Sequence, residues 1–176
     1  MFDLIKEISS SIKISFSPGE LYATKGLKTL SPVLSKVHVI FINQNELEIL
    51  TGKDVRAGAE VCLNYGCRII VVTLGKGKKL PCSKTGSAIC YIRNAKTEYF
   101  IEPVSVIETC VDTTGAGDAF ATGFLYGYVN NKGLEECGQL GNIVAQFSIT
   151  KTGARQGLLT LKQLAQRYFE LYNRQL

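Results

Sequence analysis

The chain has 176 residues, 45% apolar and 20% charged, which reads as a soluble globular domain able to bury a real core. No apolar run reaches membrane-spanning length, and Met1-Phe2-Asp3-Leu4-Ile5-Lys6-Glu7 carries early acids without a signal-length apolar stretch, so no membrane partner is expected and a cytoplasmic location is. The net charge of +5 suits anionic ligands, but the positive charges are dispersed except at Lys76, Lys78 and Lys79 and no aromatic-interleaved basic motif occurs, so nucleic acid is not an expected partner.

Taken in order, Phe2, Leu4, Ile5 and Ile8 fit a short helix over residues 1–10. Ile12, Ile14 and Phe16 alternate as in a strand, which Ser17-Pro18-Gly19 stops. Residues 20–35 read as helical segments, and Val37 to Ile42 as a strand apolar enough for burial on both faces, as in a parallel sheet. Asn43-Gln44-Asn45-Glu46 opens a helix through Leu50, with Gly52 as its C-cap, and Asp54 caps the next, to about Asn64. Arg68 to Leu74 is a third buried strand, broken by Gly75-Lys76-Gly77. Shorter β-like runs at 79–82, 88–93 and 98–101 predict a hairpin or meander at a sheet edge, and Val104 to Val111 leads into a glycine-rich string. Helices follow over about 115–130 and 134–150, a loop over 151–157, and a last amphipathic helix capped by Thr160 that reaches the C-terminus. Strands alternating with helices from residue 1 imply a three-layer α/β/α sandwich with a mostly parallel sheet, in a single domain over 1–176.

Of the six cysteines, Cys62, Cys67, Cys82, Cys90, Cys110 and Cys137, none forms a Cys-x-x-Cys pair, and the only histidine is His38. A thiolate metal site therefore lacks its ligands, and the thiols are expected to be buried and reduced. His38, inside an apolar strand, reads as a satisfied core or edge residue.

The stretch with the most chemistry is Asp112-Thr113-Thr114-Gly115-Ala116-Gly117-Asp118-Ala119-Phe120. Gly115 and Gly117 carry no Cβ, so an anion can come close to the backbone, and a helix start adds unpaired N–H groups and the positive end of its dipole. Together these make a phosphate site, with Asp118 beside it as a proton acceptor. Such a string resembles the C-terminal signature of the PfkB family of carbohydrate kinases, with the ribokinase-like fold. The resemblance implies Asp118 as catalytic base and the Gly115, Ala116 and Gly117 amides as anion hole. On the residues alone, a glycine-rich helix start with a capping Asp remains the alternative.

Further strings resemble the same family, in the same order. Asn43-x-x-Glu46, completed by Leu50-Thr51-Gly52, resembles its second motif, which implies Asn43 and Glu46 as hard oxygen ligands for Mg2+ through water; by themselves the two residues read as a capping arrangement. Val71-Val72-Thr73-Leu74-Gly75 resembles a strand whose following loop lines the nucleotide, which implies ATP contacts at Thr73, Gly75 and Gly77. Gly77 comes one position earlier than in most relatives, and a plain turn is the other reading. Residues 142–157 resemble the last nucleotide segment, which places Asn142 near the adenine. By position, carbonyls of Asp112, Thr114, Ser148, Lys151, Gly153 and Gly157 would hold a monovalent cation such as K+. Ser17 stands where many relatives have an Asp.

The implied activity is ATP-dependent transfer of a γ-phosphate to a hydroxyl of a sugar or nucleoside. No Gly-x-x-x-x-Gly-Lys-Ser/Thr string occurs, and Gly75-x-Gly77 lacks the third glycine of a dinucleotide fingerprint at Leu80. The resemblance covers only the C-terminal, nucleotide-binding portion of such a kinase, without the N-terminal part and its β-sheet lid. Half a parallel sheet exposes an edge and apolar surface, so the expectation is self-association or pairing with a missing N-terminal segment. The alternative function is a non-catalytic nucleotide-binding or assembly fragment.

Overall fold

The structure is a computed structural model that describes residues 5, 7–9, 11–79, 87–103 and 110–176, the side chains of 76–79 and 87 excepted. The chain's contacts gather into two units, Met1–Lys78 with Cys90–Phe100, and Lys79–Ile89 with Ile101–Leu176. Residues 80–82 of the β-like run expected at 79–82, including Leu80 and Cys82, residues 104–109 of the lead-in expected at 104–111, and most of the helix expected over 1–10 lie outside the described residues.

The first unit opens with β1 (Ser15–Phe16), α1 (Gly19–Ala23), α2 (Gly26–Leu34) and β2 (Val39–Asn43). It continues through α3 (Gln44–Thr51), α4 (Val55–Asn64) and β3 (Ile69–Lys79), to which β4 (Ser87–Asn94) and β5 (Glu98–Ile101) are added. The sheet order is β1-β2-β3-β4-β5. β1 runs parallel to β2, and β2 parallel to β3 in a register that places Val39 opposite Ile69 and Asn43 opposite Thr73. Val39, Ile40, Phe41 and Ile42 are all buried, as an apolar run covered on both faces requires. Only Ala95, Lys96 and Thr97 join β4 to β5, too few for a parallel crossover, so these strands form the expected hairpin. Its turn closes through Asn94, whose side-chain oxygen accepts from the Lys96 and Thr97 amides at 2.8 and 2.7 Å.

Two strand expectations change. β1 holds only Ser15 and Phe16, and Ile12 is 54% exposed, because pairing with β2 begins at Ser15, beyond the start of the alternation. Gly75 does not break β3, which runs on to Lys79; the glycine takes a left-handed φ of 70° within the strand. His38 is buried and satisfied as expected, its Nδ1 accepting from the Ile14 N–H at 3.2 Å. Cys62, Cys67, Cys90 and Cys137 are buried, and burial pushes the Cys62 and Cys67 thiols up to about 12; Cys110 is exposed, contrary to expectation.

The second unit contains α5 (Ala116–Val129), α6 (Leu134–Ser148) and α7 (Leu161–Tyr172). Ala119, Leu140, Ile143, Val144, Leu164 and Tyr168 form its core. α7 starts in a capping box, Thr160 with Gln163, and stops at Tyr172 with Asn173 in the left-handed region, short of the C-terminus. Among the described residues, no helix is long and apolar enough to cross a membrane.

Candidate active site

In the second unit, the glycine-rich string becomes a turn that opens α5. Gly115 is the N-cap residue with φ of 77°, a conformation that glycine adopts without strain. The Ala116 N–H donates to the Thr113 carbonyl at 3.1 Å and closes the turn, and the Gly115 carbonyl accepts the first helical bond from Ala119 at 2.9 Å. Asp118 lies in the first helical turn and is exposed. Gly117 is exposed as well, and a Cβ built there would meet nothing within 4 Å. The helix start therefore has open space above it, with the first-turn amides and the positive dipole end beside it.

A second turn meets this one. The Asp112 carboxylate accepts from the Thr114 N–H with Oδ1 at 2.9 Å and from the Gly153 N–H with Oδ2 at 2.8 Å. The Gly153 and Thr114 amides, in that order, hold the Asp112 carboxyl below its usual value. A Cβ on Gly115 would fall 2.6 Å from the Ala154 Cβ. The Val111 and Asp112 amides both donate to the Ile149 carbonyl at the end of α6, at 2.8 and 3.3 Å. A Cβ on Gly157 would collide with the Phe147 carbonyl oxygen and lie 2.8 Å from that of Ser148. Asp112, Thr114, Ser148, Gly153 and Gly157 are thus gathered where α6 ends and α5 begins, and Lys151 lies on the connecting segment, exposed. Asn142 is elsewhere on α6, 1% exposed, its Nδ2 donating to the Glu102 carbonyl at 3.3 Å.

The first unit holds the other expected residues. Asn43 ends β2 and caps α3: its Oδ1 accepts from the Glu46 N–H at 2.8 Å, and Glu46 Oε2 accepts from the Asn43 N–H at 3.1 Å. The capping box anticipated as the alternative to a metal role is therefore present. Thr73 lies opposite Asn43 on the neighbouring strand, and Gly75 and Gly77 follow it along β3. A separate groove of about 530 Å³ lies between α4 and the β4–β5 hairpin. It contains none of the expected residues, and its charges compensate one another, Arg56 with Glu98 at 2.7 Å and Arg93 with Glu60 at 3.7 Å.

Sequence reasoning treated Asp112 as a carbonyl donor and missed its carboxylate as a bridge. Half of that bridge was readable, since an Asp bonding the amide two residues on is a common local turn. The other half, and the Gly115–Ala154 contact, are long-range and left no local signal.

Residues 19–161 match the family described as pfkB family carbohydrate kinase. The chain is 42% identical over 155 residues to an uncharacterized sugar kinase of Archaeoglobus fulgidus, covering 88% of this chain and 56% of that protein. Among solved structures it is similar to the nucleoside kinase of Methanocaldococcus jannaschii, an archaeal member of the ribokinase family, with a TM-score of 0.75, 23% identity, and coverage of 96% of this chain and 52% of that one. It is also similar to Arabidopsis thaliana ribokinase complexed with ribose and ATP, with a TM-score of 0.78, 20% identity, and coverage of 95% and 51%. These structural likenesses establish a ribokinase-like α/β fold with a mostly parallel sheet. The chain spans about half the length of the curated relatives it matches.

Proposed function

The chain belongs to the pfkB family of carbohydrate kinases, and from that premise we propose that it carries the ATP-binding and phosphoryl-transfer portion of a sugar or nucleoside kinase. The observation that carries this reading is the open helix start at Gly117, flanked by Gly115 in its left-handed turn and by the exposed Asp118. Asp118 takes the proton of the acceptor hydroxyl onto its carboxylate as that oxygen attacks the γ-phosphorus and the bond from that phosphorus to the β,γ-bridging oxygen breaks, ADP being the leaving group. The amides of Gly115, Ala116 and Gly117 hold the oxygens of the transferring group, Ala116 sharing its N–H with Thr113. Sugar and nucleoside acceptors both come from the relatives' names, and this chain's residues favour neither.

The donors present fit the groups this chemistry uses. ATP, when bound, supplies the phosphoryl group, and Mg2+ neutralises its charge. Asn43 and Glu46 offer an amide and a carboxylate oxygen, hard donors suited to Mg2+ through water, although their capping box engages Asn43 Oδ1 and Glu46 Oε2. Thr73, Gly75 and Gly77 along β3 and Asn142 on α6 are assigned to the nucleotide. Asn142 then exchanges its bond to Glu102 for a ligand or keeps its place by it. The carbonyls of Asp112, Thr114, Ser148, Lys151, Gly153 and Gly157 are assigned to a monovalent cation such as K+. We place the protein in the cytoplasm and expect it to work with a second copy or with the segment that its relatives have in addition.

Calorimetric titration with ATP, with and without Mg2+, tests the reading. It predicts binding that Mg2+ strengthens. Absence of binding under both conditions leaves the family kinship standing and removes the functional assignment.

A further inference from the structure

We propose that Asp112 is a positioning residue for the anion hole, its carboxylate tying the turn that opens α5 to the turn at Gly153. The inference rests on the phosphoryl-transfer reading and adds to it a residue that touches neither nucleotide nor acceptor. Each carboxylate oxygen takes one backbone donor, Thr114 on one side and Gly153 on the other, 41 positions further along the chain. A carboxylate is an acceptor only, so it satisfies both amides at once, and charge assistance makes each bond stronger than a neutral one. An amide side chain would turn an NH2 group toward one of the two donors.

Three further contacts make this bridge a lever on the anion hole. Thr114 immediately precedes Gly115, and the Ala116 N–H is tied back to Thr113, so fixing Thr114 sets the direction of the following peptide groups. Gly115 and Gly153 both hold left-handed backbone, with φ of 77° and 86°, and Gly115 lies against Ala154 with no room for a Cβ. The Asp112 main chain is itself anchored, through its own N–H and that of Val111, to the Ile149 carbonyl. Amides aimed at a transferring phosphoryl group act through their fixed orientation, so a turn that can wander loses function before it loses structure.

The test compares the unmodified chain with Asp112→Ala and Asp112→Asn, by MgATP titration and by amide hydrogen exchange. The alanine variant is expected to bind MgATP about tenfold more weakly or worse. Exchange should quicken at Thr114 and Gly153 while Leu164 and Tyr168 in α7 keep their protection. The asparagine variant, retaining one acceptor, should fall between the two. Unchanged MgATP affinity in Asp112→Ala overturns the inference and leaves the kinase reading intact. Faster exchange throughout α7 also overturns it, since the loss is then one of folding. An unmodified chain that binds no MgATP removes the functional reading, and the inference with it.

Discussion

Gly123 lies so close to Leu140 that a methyl group on it would sit 2.6 Å from the Leu140 carbonyl oxygen. Gly141 returns the relationship, its Cβ position being 2.8 Å from the Phe120 carbonyl oxygen. α5 and α6 therefore meet backbone to backbone, which keeps α5 seated on the unit's core while its N-terminus stays open. The obstacle at Gly123 is main chain and cannot swing aside. Gly123→Ala is expected to destabilise the protein by about 1–3 kcal/mol, more than the roughly 1 kcal/mol that alanine gains in helix propensity. A denaturant-unfolding midpoint no lower than that of the parent would count against this packing.

Gly117→Ala should behave in the opposite way. The position is helical and open, so alanine meets no clash and gains up to about 1 kcal/mol of helix propensity. The same methyl group projects into the space assigned to phosphate. Thermal stability should hold or rise while MgATP affinity falls. Unaltered affinity would move the phosphate away from this helix start.

The two roles assigned to the Asn43–Glu46 pair are separable. Asn43→Ala removes a cap and should destabilise by about 1 kcal/mol. Glu46→Gln keeps an oxygen for the Asn43 N–H but loses the charge, so stability should change by less than about 0.5 kcal/mol. If Glu46 serves Mg2+, this variant also loses the Mg2+ enhancement of ATP binding. Retained enhancement would leave the pair as a cap alone.

His38 makes stability depend on pH. Burial, then the positive charges of Arg68 and Lys13, lower its pKa below the ordinary 6.5. Below pH 6.5 the unfolded chain takes up a proton before the folded one does, so stability falls as pH falls through the lowered value. Protonating Nδ1 also opposes the Ile14 N–H that it accepts from, which loosens β1 first. Unfolding midpoints measured from pH 8 to pH 5 should drop less in His38→Gln than in the parent. Parallel curves for the two would remove His38 as the cause.

What was legible in the sequence was local. Asn43, Asp54 and Thr160 cap their helices, and Gly52 ends α3 in the left-handed region, because a cap is decided within four residues. The buried β2 and the core of β3 were legible from apolar runs. β1 was less so: Ile12, Ile14 and Phe16 alternate, but β2 pairs only with Ser15 and Phe16. Gly75 looked like a break and is a left-handed residue inside a continuing strand. The signature string marked the candidate site, yet its tie to Gly153 and the seating of Gly115 on Ala154 depend on chain closure over about forty residues. No local pattern encodes such a contact.

The most direct test of the account is γ-phosphate transfer from ATP to a panel of sugars and nucleosides, measured for the parent and for Asp118→Asn. The account predicts transfer by the parent to at least one acceptor. In Asp118→Asn it predicts a fall of about 10²–10⁴-fold with MgATP binding retained, because only the proton acceptor is lost. Transfer that persists undiminished in Asp118→Asn would contradict it.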